Sequence, residues 1–323
     1  MIQNVLVVTP GQYTHSQAFL DVAYAFSETL TDLGHYNQIT TNPDYCEDGT
    51  TLIFGAHLIP KFDGSIEGDY VIYQTEQLTA SNSLFVDSKY IELLKKFPVW
   101  DYSQSNIDYL KTLGINAQYV PIGYHRSMAN LKTGRSVSIA GGGKSGKQRV
   151  SVEPWSGTFP NTDVTGRFVQ DIDICFYGSI NQRRQKIIDG LKTITFPAPD
   201  GEGGMFDKPI TVANFIGYGS FRDKVIARSK IVLNVHYYDS AIFEMFRCAH
   251  AFANRRLVVS EKGNDKCLEV PYYETKTFVE YEEIVETCRH FLANDVKRGE
   301  ATRLQNDIFK QTRLFDSVKH AIG

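Results

Sequence analysis

Short apolar runs that break at a glycine or polar turn and lead into a helix-periodic stretch recur along this chain. That rhythm constrains its fold more than any other feature. The first instance opens the sequence. Asn4 to Thr9 (NVLVVT) stops at Pro10-Gly11, and Ala18, Phe19, Val22, Ala23, Phe26 and Leu30 then mark one face of a helix over 16–33. Strand, glycine turn and helix together begin an open α/β sheet. Further strands are expected at 52–54, 70–73, 97–100 and 118–121, with helices over 88–96 and 105–113, the second stopped by Gly114. Strands that are apolar throughout, and not alternating, belong to a parallel sheet covered on both faces.

The pattern lapses over 126–170, which is rich in Gly, Ser, Thr and Lys. A structureless loop of that length is unusual inside one domain, so a β-ribbon excursion, a domain boundary or a functional insertion is expected. The rhythm resumes at Asp171. Strands are expected at 172–177, 212–216, 230–236 and 257–259, and helices at 181–191, 221–228, 240–252, 281–292 and 297–320. At 323 residues the chain exceeds what one core usually fills, and two domains of roughly 150 residues are the first expectation.

Composition narrows the function classes. With 42% hydrophobic and 22% charged residues the chain folds, and its net charge of −3 excludes a wholly basic nucleic-acid binder. No run of about 18 apolar residues offers a membrane span. The start, MIQNVLVVTPGQ, lacks a cationic leader, so a cytoplasmic location is expected. Cys46, Cys175, Cys248, Cys267 and Cys288 form no CxxC pair and suit reduced thiols.

In open α/β sheets ligands bind outside the carboxyl ends of the strands. Two segments there draw notice. In Gly178-Ser179-Ile180-Asn181-Gln182-Arg183-Arg184 a glycine turn feeds a helix, and two arginines in a first turn oppose the helix dipole unless an anion is near. A phosphate site is the favoured reading, and solvated surface arginines the plain one. In His236-Tyr237-Tyr238-Asp239-Ser240-Ala241-Ile242-Phe243-Glu244 an apolar strand runs into a polar loop and a helix. Glu244 is placed either to hold ribose hydroxyls or, with Asp239 or Ser240 as N-cap, to stabilise the helix start.

Three patterns fail on context. Gly141 to Lys147 matches GxxxxGK, but Gln148 stands where a P-loop needs Ser or Thr, and Pro154 follows where it needs a helix. Asp171-Ile172-Asp173 has the DxD spacing of metal-dependent sugar transferases, yet it opens a strand instead of closing one. The histidines show no HxH or HExxH spacing, so no metal site is expected. Between Arg126 and Val152 lie Lys132, Arg135, Lys144, Lys147 and Arg149 with no acidic residue. The segment is either a solvated linker or an arm that tracks a polyanionic acceptor, with Trp155 and Phe159 able to add stacking.

The blocks ICFYGSINQRRQKII and SKIVLNVHYYDSAIFEMFRCAHAFANRRLVVSE resemble the donor-binding domain of GT-B-type glycosyltransferases, especially short bacterial and phage members. VIYQTEQL and VWDYSQSNIDYLKTLGI resemble acceptor-domain strands of the same group. The resemblance implies two Rossmann-like domains facing across a cleft: an acceptor domain over 1–125, the insertion over 126–170, a nucleotide-sugar domain over 171–300, and a helix over 301–323 that crosses back. It implies a nucleotide-diphosphate sugar as donor and no required cofactor or metal. Gly178, Ser179, Asn181, Arg183, Arg184, His236, Tyr237, Tyr238, Ser240, Ala241 and Glu244 would surround the donor. Arg183 or Arg184 and the helix start near Ser240 would stabilise the leaving diphosphate, and Glu244 would grip the ribose.

If the reaction inverts, a base is needed at the first domain's strand ends, where His15, Glu76 and Asp101 stand as equals. The acceptor is either a bacterial surface glycan, favoured by the acidic balance, or a hydroxymethylated DNA base, favoured by Lys144, Lys147 and Arg149. A non-catalytic nucleotide-sugar binder is the rival from another class. An NAD-dependent oxidoreductase would need GxGxxG after the first strand, and residues 10–15 lack it.

Overall fold

The structure, a computed structural model, describes all residues except 12, 62–63, 79–87, 141–148 and 201–203, and the side chains of 88, 140 and 149. The first half runs β1 (Ile2–Val7), α1 (Leu20–Asp32), β2 (Gln38–Thr40), β3 (Thr50–Phe54), α2 (Leu58–Lys61), β4 (Tyr70–Gln74), α3 (Ser88–Lys96), β5 (Val99–Asp101), α4 (Gln104–Thr112) and β6 (Ala117–Tyr119). Its strands form one parallel sheet in the order β2-β1-β3-β4-β5-β6. The order reverses direction at β1, which leaves a crevice at the strand ends.

Within 126–170 the chain makes an antiparallel hairpin of β7 (Arg135–Ala140) and β8 (Arg149–Pro154). The ribbon is not a loose appendage. Val137, Val150 and Trp155 are buried in the same apolar cluster as Phe26 of α1 and as Val232 and Phe252 of the second half.

The second half follows with β9 (Ile172–Tyr177), α5 (Gln182–Lys192), the hairpin β10 (Thr195–Pro199) and β11 (Met205–Pro209), β12 (Val212–Phe215), α6 (Gly219–Arg228), β13 (Ser229–Asn234), α7 (Met245–Ala253), β14 (Leu257–Glu261), α8 (Lys266–Glu269), β15 (Phe278–Val279) and α9 (Ile284–Ala293). Its parallel sheet has the order β12-β9-β13-β14-β15. Two closing helices, α10 (Asp295–Gln311) and α11 (Leu314–Ile322), stand where one was expected. The break at Thr312–Arg313 lets the chain pair with the first half: Tyr124 N donates to Thr312 O at 2.7 Å and Leu314 N to Tyr124 O at 3.1 Å. Helix α11 then packs on α1, burying Leu314 and Val318.

The helix placed over 240–252 begins at Met245. Ala241 takes φ 47°, in the left-handed region, and no α-helix can pass through it. No helix among the described residues is long and apolar enough to cross a membrane.

Candidate active site

A cavity of about 400 Å³ opens between the carboxyl ends of the two sheets. His15, Phe19, Glu76, Gln77 and Tyr102 form the first half's wall; Tyr177 to Ser179, Arg184, Arg222, Tyr237, Tyr238, Glu244 and Arg247 are on the other. The 178–184 and 237–244 segments therefore share one hollow. They are also tied to each other, since Asn181 Nδ2 donates to Tyr237 O at 3.1 Å. The same Asn181 caps α5, its Oδ1 accepting from Arg184 N at 2.9 Å.

Three of the cavity's charged side chains form one cluster. Arg184 donates to Glu244 at 2.6 Å, and Arg247 donates to the other Glu244 oxygen at 2.5 Å. Arg184 is only 2% exposed, with further bonds to Val235 O and Ser179 O. Burial pushes its pKa down to about 10, against the pull of Glu244. Burial pushes the Glu244 carboxyl up, but Arg247 and Arg184 outweigh it and hold the group below the usual carboxylate range. Within this cluster two cations face one anion, and a low local dielectric strengthens their attraction for a further anion. Gly178 makes this geometry possible. Its φ is 132°, and a Cβ there would lie 2.8 Å from Arg247 Nη2.

Several expected donor contacts fall elsewhere. Arg183 does not line the cavity; it pairs with Glu261 and lies over the Tyr281 ring at 4.1 Å. Both neighbouring arginines thus have protein carboxylates as partners, Arg183 alone on Glu261 and Arg184 sharing Glu244 with Arg247. His236, Ser240 and Ala241 stand behind the wall. His236 is buried with both ring nitrogens unpartnered, and burial pushes its pKa down. Ser240 starts no helix. Glu244 occupies the N-cap position of α7 and makes no capping hydrogen bond.

The three candidate bases separate. Asp101 is fully buried and off the wall. Its oxygens accept from Ser103 N at 2.8 Å, Gln74 Nε2 at 2.9 Å and Asn106 Nδ2 at 3.1 Å, while burial raises its pKa to about 7. It serves as an anchor, because Gln74 and Asn106 in turn donate to Glu76 O and shape the turn after β4. His15 reaches the cavity, with Nδ1 3.0 Å from Tyr218 Oη of the second half. Glu76 also reaches it, and among the described wall residues it is the carboxylate not held by arginine. His57 Nδ1 lies 3.2 Å from Glu76 Oε1, and burial lowers the His57 pKa against the pull of Glu76.

Lys144 and Lys147 lie outside the described residues, and Arg149 is placed only by its backbone, opposite Ala140. Trp155 offers no stacking platform: it is buried, and its indole donates to Ser136 Oγ at 2.7 Å. Asp171 and Asp173 pair with Arg228 and Lys230 at the far end of β9. Among the described residues no three His, Cys, Asp or Glu side chains gather as a metal site.

Sequence reading missed Arg247, Arg222 and Gln77. Arg247 had a signal, since it follows Glu244 by one helical turn. Arg222 had none: its partners are Asp21 at 2.6 Å, from the first half, and its own neighbour Asp223.

No protein-family model matches the chain. It is 26% identical to the uncharacterized protein L140 of Acanthamoeba polyphaga mimivirus over 302 residues, 89% of this chain and 82% of that protein. To L138 of the same virus it is 29% identical over 215 residues, 65% of this chain but only 19% of that protein. Among solved structures it is similar to Anabaena HepE, which was crystallised with UDP and glucose (TM-score 0.57, 11% identity, covering 100% of this chain and 99% of that one). It is also similar to the T4 phage β-glucosyltransferase (TM-score 0.50, 14% identity, 99% of each chain). Two parallel Rossmann-like sheets facing across a cleft, matched over the whole chain by both structures, give this protein the GT-B fold.

Proposed function

We propose that the protein is a glycosyltransferase that moves a sugar from a nucleoside-diphosphate donor to a hydroxyl acceptor. The observation that carries this reading is the Arg184–Glu244–Arg247 cluster, set beside the Gly178 turn at the floor of a cleft between two Rossmann-like sheets. In this reading residues 171–300 hold the donor and residues 1–125 the acceptor. Arg247 and Arg184 meet the diphosphate, and Glu244 accepts from the ribose hydroxyls. Glu76 takes the proton of the acceptor hydroxyl as its oxygen bonds to the anomeric carbon. The bond from that carbon to the diphosphate breaks, and the negative charge left on the diphosphate is met by the arginines. Positive charge is supplied by side chains, so no metal ion is required.

The acceptor we favour is a glycan hydroxyl. The net charge of −3 and the burial of Trp155 both weigh against a polyanionic acceptor such as modified DNA. The test is a calorimetric and turnover screen with nucleotide sugars, glycan fragments and hydroxymethylated duplex DNA. Micromolar binding of a nucleoside diphosphate and its release from the sugar on adding acceptor are expected. Arg247→Met should weaken binding about 10- to 100-fold, the loss of a charge-assisted hydrogen bond. Binding without turnover over every acceptor would leave a nucleotide-sugar-binding protein instead of an enzyme, and no binding at all would end the reading.

A further inference from the structure

The turn at 240–242 stands between Tyr237 and Tyr238 on one side and Glu244 on the other, all three on the cavity wall. Ala241 is held there in a left-handed conformation that an alanine does not adopt by itself. What holds it comes largely from the other half of the chain. Ser240 Oγ donates to Gln77 Oε1 at 2.6 Å, Ile242 N donates to the same oxygen at 3.2 Å, and Gln77 Nε2 donates to Ile242 O at 3.0 Å. Asn264 closes the turn from behind, with Nδ2 donating to Ser240 O and N to Ala241 O.

Gln77 is 6% exposed and its backbone is not free to drift. Asn106 accepts from Leu78 N at 2.8 Å and donates to Glu76 O at 2.9 Å, and Asp101 holds Asn106 in place. Asp101, through Asn106, thus fixes the backbone on both sides of Gln77, whose side chain reaches the turn that carries the donor wall. The neutral amide both accepts from the turn and donates to it, which an ionised carboxylate cannot do.

We propose that Gln77 is a positioning residue through which the first half of the chain sets the shape of the donor turn. Donor affinity then depends on a side chain from the acceptor half. This consequence rests on the function proposed above, whereas the control of the turn does not.

Two readouts keep these apart. In Gln77→Leu, hydrogen exchange of a peptide covering 238–243 should rise at least 10-fold, with other second-half peptides unchanged. Gln77→Glu keeps the acceptor and loses the donor, so it should give a smaller rise and serves where the leucine variant does not fold. UDP titrated into the wild type and both variants should bind about 10-fold more weakly to the leucine variant. Adding Ser240→Ala should cost that variant little more, because both changes act through one turn. Unchanged exchange at 238–243 overturns the proposal, as does full additivity with Ser240→Ala, which marks direct contact with the ligand. A wild type that binds no nucleoside diphosphate sinks the functional reading while the exchange result still judges Gln77.

Discussion

Asp101→Asn is the perturbation whose size follows most directly from the structure. The carboxyl is fully buried, and despite three hydrogen-bond donors its pKa rises from 3.8 to about 7, with burial as the leading cause. Between about pH 4 and pH 7 the folded protein therefore keeps a proton that the unfolded chain has lost. Stability falls with rising pH wherever the native state binds more protons. The contribution is whole below pH 4 and is lost as pH climbs through about 7. At about 1.4 kcal/mol per unit, the shift amounts to about 4 kcal/mol across that window. Asparagine has nearly the same shape and no proton to lose. It carries a fixed penalty of about 1 kcal/mol, because the Gln74 amide must turn to face the new NH₂ group. That penalty is equal at every pH and drops out of the comparison. Glu269, also raised to about 7 by burial, adds the same slope to both proteins and drops out too. Urea melts followed by the fluorescence of the buried Trp100 and Trp155 at pH 4.5, 6 and 8 provide the test. The variant should gain about 3–4 kcal/mol on the wild type between the first pH and the last. Parallel pH curves for the two proteins would refute the buried-anchor account of Asp101.

Two further changes probe the site and the frame. Glu244→Ala leaves the buried Arg184 without its counter-charge and should cost about 3–5 kcal/mol in a chemical melt, so its stability loss must be separated from any loss of ligand affinity. Gly123→Ala places a Cβ 2.3 Å from Thr312 O and 2.8 Å from Leu314 N, both backbone atoms. It should cost about 1–3 kcal/mol and expose the 312–314 connection to limited proteolysis; equal cleavage rates would mean that the connection is not seated there.

The sheets were legible because their strands are buried on both faces, so Ile174-Cys175-Phe176 and Ile231-Val232-Leu233 read as unbroken apolar runs. The hairpin β10–β11 was not, since β10 is at most half-buried, β11 is exposed, and they carry Pro197, Pro199 and Pro209, which mimic a loop. The edge strand β2, at Gln38-Ile39-Thr40, is too short and polar to announce itself. Ile242, Phe243, Met245 and Phe246 imitate a helical face, and the start of α7 was misplaced because the residue that bends the turn lies 163 positions earlier in the chain. Arg183 and Arg184 are adjacent in sequence, yet the helix turns them to different carboxylates, Glu261 and Glu244. Asp101 ends an apolar strand as a cleft base would; Ser103 and Asn106, which enclose it, follow closely in the chain, but the third donor, Gln74, is brought to it only by the fold.

The buried bridge from Asp21 to Arg222 has a consequence for how the molecule can be taken apart. Arg222 also holds Asp223, which in turn accepts from Ser136 of the ribbon and faces His250 at 3.2 Å. Replacing one half with a sequence that lacks Asp21 would leave Arg222 buried at the seam without that counter-charge, and a buried charge stripped of its partner is strongly destabilising. The two halves are therefore not interchangeable parts here. A chimera that swaps one half must import Asp21, Ser136, Arg222, Asp223 and His250 as a single set.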